Sequence, residues 1–183
     1  MSPLATLSAS SPPVSRCVVF LVAGHPLALP VEAVRRFLPL PHLDRLPTAP
    51  PPVEGVFRYH GEIVPVLRLS ILLDLGAGDA GLYAPLILVT WQGRPLALLV
   101  DQVRGDVAVP AEALLPAEPS LSFNGCAMAG FADPAAGPGG TVSLLDPDRL
   151  LSRAEGRLLE AFRAAEERRL GLWTDGTAEG AAP

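Results

Sequence analysis

Gly24-His-Pro-Leu-Ala-Leu-Pro-Val-Glu-Ala-Val-Arg35 recurs without gaps as Gly93-Arg-Pro-Leu-Ala-Leu-Leu-Val-Asp-Gln-Val-Arg104. Eight of the twelve positions are identical, and Glu32 against Asp101 keeps its charge, so chance is a poor explanation. Apolar, β-branched stretches at 18–22 and 87–91 precede the two copies at the same offset of 69 residues. Ala23-Gly24-His25-Pro26 and Gln92-Gly93-Arg94-Pro95 each stand between two such runs and supply turn chemistry. The chain therefore begins each half with a strand, a turn and a returning strand.

A weaker echo follows. Gly61-Glu-Ile-Val-Pro-Val-Leu67, with Leu72-Leu73 beyond it, aligns with Gly139-Gly-Thr-Val-Ser-Leu-Leu145 and Leu150-Leu151 at an offset of 78. The nine additional residues read as loop in the second copy, where Pro134-Ala-Ala-Gly-Pro-Gly-Gly140 expands a hairpin. In the first copy the strands at 55–59 and 62–67 flank His60-Gly61, and Gly55 and Gly61 read as structural turn positions beside Gly24 and Gly93. Each copy is then a hairpin, a connector and a second hairpin ending in a short helix, with no room for parallel crossovers.

Short antiparallel strands with exposed edges are satisfied by closure into barrels. The predicted fold is all-β, two tandem five-stranded β-barrels over 17–78 and 79–152, flanked by disordered ends at 1–16 and 174–183. A single β-sandwich made of the same hairpins is the alternative. Consecutive apolar positions, as in Leu86-Ile-Leu-Val89 and Leu96-Ala-Leu-Leu-Val100, require both faces of some strands to be covered. Six prolines between 39 and 52 forbid a helix interior or a central strand and leave an extended connector. Ser152-Arg-Ala-Glu155 has the spacing of a capping box, and an amphipathic helix over 153–173 follows from it. Leu158, Leu159, Phe162 and Ala165 form its expected apolar stripe, with Glu160–Arg163 and Glu166–Arg169 pairing across a turn.

Of the 183 residues, 49% are hydrophobic and 18% charged, and all 14 basic residues are arginine. Without lysine there is no Walker A phosphate loop and no Schiff-base chemistry. A net charge of −5 with scattered arginines has the wrong sign for a nucleic-acid partner. Cys17 and Cys126 sit in apolar surroundings as buried small hydrophobes, which suits a reducing compartment. No secretory leader pattern and no apolar run long enough to span a bilayer occurs, so a cytoplasmic location without membrane insertion is expected.

Catalytic patterns are absent as well. No Asp-Thr/Ser-Gly turn and no Gly-x-Ser-x-Gly elbow occurs, and His25, His42 and His60 fall in turns or Pro-rich segments without an adjacent nucleophile. The histidines lie 17 or 18 residues apart and the cysteines 109 apart, too far for a compact metal site, and no cofactor is expected. Asp101 and Glu32 read as residues capping backbone amides. The alternative from another class is a bilobal β-barrel hydrolase using Asp101 with Asp133 or Asp146. What remains is a surface for binding.

Pro30-Val-Glu-Ala-Val-Arg35, then Val53-x-Gly55-Val56, then Gly61-x-Ile63-Val64-Pro65-Val66-x-x-Leu69, then Leu98-Leu-Val-Asp101-x-Val103 and the closing Leu144-Leu145 with Leu150-Leu151 together resemble the CheW family of chemotaxis adaptors. That resemblance covers about three quarters of the chain. It implies SH3-like barrels, no catalysis, and a stand-alone scaffold linking the signalling tips of chemoreceptors to the regulatory domain of a CheA-type histidine kinase, with other CheW-like domains as further partners. It also implies a contact surface around Val34, Arg36, Phe37, Arg58, Tyr59 and His60, with Val100 and Val103 as second-copy equivalents. Two positions depart from the family pattern. The tip that usually reads Asn-Leu-Arg-Gly is Arg58-Tyr59-His60-Gly61, and the usual Val-x-Glu is Val34-Arg35-Arg36. A carboxylate has become a guanidinium, and the expected partner surface is correspondingly altered.

Overall fold

The computed structural model describes residues 14–45, 47, 49–76, 81, 83–117, 125–133 and 140–175. The expected disorder at 1–13 and 176–183, and the body of the expanded loop at 134–139, lie outside them. Residues 14–16, expected to be frayed, instead open the first strand.

The first hairpin is β1 (Val14–Val22) and β2 (His25–Pro30), and its counterpart is β6 (Leu86–Trp91) and β7 (Arg94–Leu99). The connector leads to β4 (Val53–Tyr59) and β5 (Glu62–Arg68), followed by the one-turn helix α1 (Leu69–Leu72). Their counterparts are β10 (Ala127–Ala132) and β11 (Thr141–Leu145). Ala23-Gly24, His60-Gly61 and Gln92-Gly93 all have positive φ at both positions, the type I′ geometry that matches the twist of the strands they join. Gly55 is not a turn residue. It lies inside β4 at a bulge, where a Cβ would stand 2.9 Å from the Asp44 carbonyl oxygen, because the connector lies across β4 through two backbone hydrogen bonds between Asp44 and Val56.

Three further strands, β3 (Val34–Leu38), β8 (Gln102–Pro110) and the two-residue β9 (Leu115–Pro116), complete two sheets. One has the order β8-β1-β2-β11-β10-β9 and the other β3-β6-β7-β5-β4. The boundary expected near residue 78 does not separate these sheets. Pro30 ends β2 and a 3-10 turn, Val31–Ala33, carries the chain away from it, so that β3 pairs with β6 of the second copy. In the same way β8 pairs with β1 of the first copy.

The exchange is symmetrical to the residue. Val34 lies opposite Val89 and Arg36 opposite Leu88, with Arg35 as the extra residue of a bulge. At the offset of 69, Val103 lies opposite Phe20 and Gly105 opposite Val19, with Arg104 as the extra residue. The parallel pairs Val66 with Ala97 and Leu144 with Ala28 are equivalents too. The duplication read from sequence is thus a pseudo-two-fold axis in space.

The alternation of strand side chains sorts the apolar residues into three cores. Phe57, Val64, Val66, Leu86, Leu88 and Leu99 fill one barrel, and Cys17, Val19, Ala28, Phe131, Val142 and Leu144 fill the other. Between the barrels, Phe20, Val22, Leu27 and Leu29 meet their equivalents Val89, Trp91, Leu96 and Leu98. A single sandwich would have only the middle layer. The runs of consecutive apolar residues are explained by the same arrangement, since each first-hairpin strand has a barrel interior on one face and the central core on the other.

Helix α2 (Arg153–Asp175) is longer than expected. Its capping box forms as read, with the Ser152 amide donating to Glu155 Oε2 at 2.8 Å and the Glu155 amide to Ser152 Oγ at 3.3 Å. Leu159 and Phe162 face the core, but Leu158 and Ala165 point outward, and Leu158 shares an apolar hollow with Ile71 and Pro50. Arg163 and Glu166 take the inner positions instead. Arg163, with no exposed surface, donates to the Pro95 carbonyl at 2.9 Å, and Arg94 bonds Glu160 and Glu167 at 3.1 and 2.6 Å. Both expected intrahelical pairs form, Arg163 with Glu160 at 3.3 Å and Arg169 with Glu166 at 2.9 Å.

Candidate functional site

Two surface features gather most of the residues singled out in the sequence. The first is the tip of the β4–β5 hairpin. Phe57 is buried in its barrel, Arg58 is exposed, and Tyr59 is half-buried against the same core. The Tyr59 ring meets His60 edge-on with centroids 4.3 Å apart and Phe57 at 6.3 Å. His60 carries φ +49° at the turn and is exposed. The tip therefore displays Arg58 and His60 on an aromatic footing.

The second is a groove of about 470 Å³ between the barrels, lined from β1 by Arg16 and Val18, from the β2–β3 turn by Val31, from β3 by Val34, Arg35, Arg36 and Phe37, and from β8 by Asp106. The bulge in β3 matters here. An extra residue locally re-aims side chains, and Arg35, Arg36 and Phe37 are three consecutive exposed residues on a strand whose period would otherwise alternate. Phe37 is 47% exposed, a large apolar side chain left in water. Arg16 is paired with Asp106, and that hydrogen bond holds the Asp106 carboxyl below its usual range.

Other expected contact residues lie elsewhere. Val100 is 1% exposed and belongs to the central core, so it offers nothing to a partner. Its sequence equivalent, Val31, is half-buried at the groove, so the two copies differ here. Val34 and Val103 are half-buried against the central core. Arg35 and Arg16 line the groove too, beyond the contact residues that the family resemblance implies. Arg35 could have been found from the duplication, because Arg35 and Arg104 are the identical residues that close the repeated twelve.

Two of the three carboxylates of the hydrolase alternative, Asp101 and Asp146, accept backbone amides. Asp101 Oδ2 accepts the Ala23 amide at 2.6 Å, and its own amide donates to the Leu21 carbonyl, which fastens the β1–β2 turn to the start of β8. Asp146 Oδ1 accepts the Asp148 amide at 3.0 Å in a 3-10 turn. Asp101 therefore has the amide-capping role read for it; its equivalent Glu32 is exposed. His25 contacts the Ala23 carbonyl at 3.1 Å. Among the described residues no group of three or more His, Cys, Asp or Glu could hold a metal ion, and no helix is long and apolar enough to cross a membrane. Both cysteines are buried, and burial pushes the Cys126 thiol up to about 11.

A family model for the CheW-like domain matches residues 16–155. The chain belongs to the CheW-like family. Among solved structures, the scaffolding protein TtCheW from Thermoanaerobacter tengcongensis aligns with a TM-score of 0.67 at 19% identity, over 74% of this chain and 91% of that one. At that identity the likeness shows the fold, a pair of SH3-like barrels, as the sequence led one to expect. A comparison with curated proteins finds no match. The CheW-like match extends from β1 through the capping box of α2, and both the groove and the hairpin tip lie inside it. Membership of this family places the chain among the adaptors of chemotaxis-type signal transduction.

Proposed function

We propose that the chain is a non-catalytic adaptor that couples chemoreceptors to a CheA-type histidine kinase, in chemotaxis or in a related chemosensory pathway. The observation that carries this reading is the CheW-like match across both barrels. The surface chemistry agrees with it. Asp101 and Asp146 hold backbone amides, whereas the exposed Phe37, Arg36, Arg58 and His60 sit on two faces suited to docking. The tip and the groove are the two contact surfaces, and Val34 lines the groove from the edge of the central core. Such interfaces are modest singly and gain strength when many copies are arrayed.

The test is direct binding. The full chain is mixed with the regulatory domain of the CheA-type kinase and with a receptor signalling-tip fragment from the same genome. Expected is a complex with each, and a change in kinase autophosphorylation when all three are present. Failure to bind either partner would sink the proposal.

A further inference from the structure

Helix α2 carries a face that neither the core nor the two adaptor surfaces use. Ala154, Leu158, Ala161 and Ala165 are all exposed, and at spacings of four, three and four residues they form one apolar stripe turned away from the core. Leu158, 55% exposed, is also a wall of the apolar hollow of about 360 Å³ at the helix start, among whose other walls are Pro50, Pro51, Val53, Leu151 and the 45% exposed Ile71. Stripe and hollow are therefore one continuous apolar surface. Along its edge stand Arg153, Arg157 and Arg168, all exposed, and no carboxylate among the described residues pairs with any of them. The glutamates of α2 are engaged elsewhere, Glu155 in the capping box, Glu160 and Glu167 on Arg94, and Glu166 on Arg169. On a chain of net charge −5, this face is cationic. All but the first turn of α2 lies beyond residue 155, where the CheW-like match ends, so most of the stripe is outside the family domain.

We infer that this surface docks an acidic amphipathic helix of another polypeptide, with an apolar side chain seated in the hollow and carboxylates on Arg153, Arg157 and Arg168. The alanines let a second helix approach α2 closely, and a helix laid along the stripe repeats its own apolar side chains at the same period. Guanidinium forks take carboxylates in bidentate pairs, and the matched charges set the register of the two helices. Other occupants lack one half of this chemistry. Residues 1–13 contain no carboxylate, and residues 176–183 contain no leucine, isoleucine, valine or aromatic residue. A second copy of the chain would set arginines against arginines. An anionic membrane receives a protruding apolar ridge, whereas this surface sinks into a hollow at Leu158 and Ile71.

The probe is a synthetic amphipathic helix with leucines at i, i+4 and i+7 and glutamates beside them, titrated into the full chain while the methyl signals of Ile71 and Leu158 are followed by NMR. Two further peptides exchange its glutamates for lysines or its leucines for serines. Vesicles of phosphatidylglycerol and phosphatidylcholine, and sedimentation of the chain alone, complete the set. Expected is a shift of both methyl signals with the acidic peptide, and binding weaker by about tenfold or more for the other two. The triple variant Arg153→Glu/Arg157→Glu/Arg168→Glu should lose the acidic peptide by about the same factor and gain the lysine peptide, and Leu158→Asp should lose both. All four side chains are exposed, so an unchanged unfolding midpoint shows that the variants fold. Absence of binding by the acidic peptide, or equal binding by the lysine peptide, would overturn the inference. So would vesicle binding in place of peptide binding, or a dimer that Leu158→Asp abolishes, which would give the face to a lipid surface or to a second copy. None of these outcomes involves the groove or the hairpin tip, so the adaptor reading is tested separately.

Discussion

Gly156 of α2 lies so close to Trp91 of β6 that a Cβ on the glycine would stand 2.7 Å from Cη2 and 3.0 Å from Cζ2 of the indole. Trp91 is 2% exposed and held in the central core, so the ring has little freedom to yield. Replacing a helical glycine by alanine ordinarily gains about 1 kcal/mol of helix propensity. Here overpacking of about 1–3 kcal/mol opposes that gain. Gly156→Ala should therefore destabilise the chain by up to about 2 kcal/mol, read from the midpoint of urea unfolding followed by fluorescence. A stabilised variant would show that the helix does not sit on the indole.

Arg163 is the second clasp of the same helix. Its guanidinium is fully buried, and burial lowers its pKa even though Glu160 acts in the other direction. Arg163→Ala leaves the Pro95 carbonyl without its donor and opens a hole beneath α2, at an expected loss of about 3 kcal/mol. Arg163→Met should lose clearly less, because an unbranched stem keeps the packing and Glu160 retains Arg94. Thermal unfolding of the two variants side by side distinguishes the contributions.

Asp101 fastens one copy's turn to the other copy's third strand, so its removal should be felt as stability. Asp101→Ala is expected to cost about 1.5–3 kcal/mol, the range for a hydrogen bond to a charged group, and Asp101→Asn distinctly less since an amide oxygen can still accept from Ala23. Hydrogen exchange at the Ala23 amide should rise in the alanine variant. Equal stability of all three proteins would remove the pinning role.

The buried thiol of Cys126 gives a pH signature. Its folded pKa of about 11 lies above the ordinary 9.0, so below about pH 9 both folded and unfolded chains hold the proton and stability is unaffected. Above that, the unfolded chain ionises first, and stability should fall as the pH climbs toward 11. A Cys126→Ala variant should lose part of that slope. Both cysteines should resist alkylation at neutral pH in the native protein and react on unfolding.

Much of this was legible in the residues, and the division follows how local each signal is. The three I′ turns and the capping box are written within two to four consecutive residues, and each forms as the spacing implies. The duplication was legible because its two copies keep their register. Strand exchange was not, since β3 carries a similar pattern whether it pairs within its own copy or with the other. Helix burial was misjudged at Arg163, where a periodicity count scores arginine as polar, yet its donor has a carbonyl waiting in the core. Gly55 looked like a turn because the crossing connector that demands it is far away in sequence. At the candidate site the individual residues could be named, but the bulge that turns Arg35 and Arg36 into the same groove had no marker of its own.

Because each half lends its third strand to its twin, the polypeptide is built like two swapped protomers joined by a tether. A single copy on its own would have to find a second molecule to finish its sheets, and joining the two end to end turns that encounter into a matter of linker reach instead of concentration. It also releases the copies from having to stay alike. In a true dimer every arginine added to one copy would be duplicated in the other, whereas here the first copy brings Arg36 and Phe37 to the groove while the equivalent positions of the second are Gly105 and Asp106, and Asp106 lines that same groove from its opposite flank.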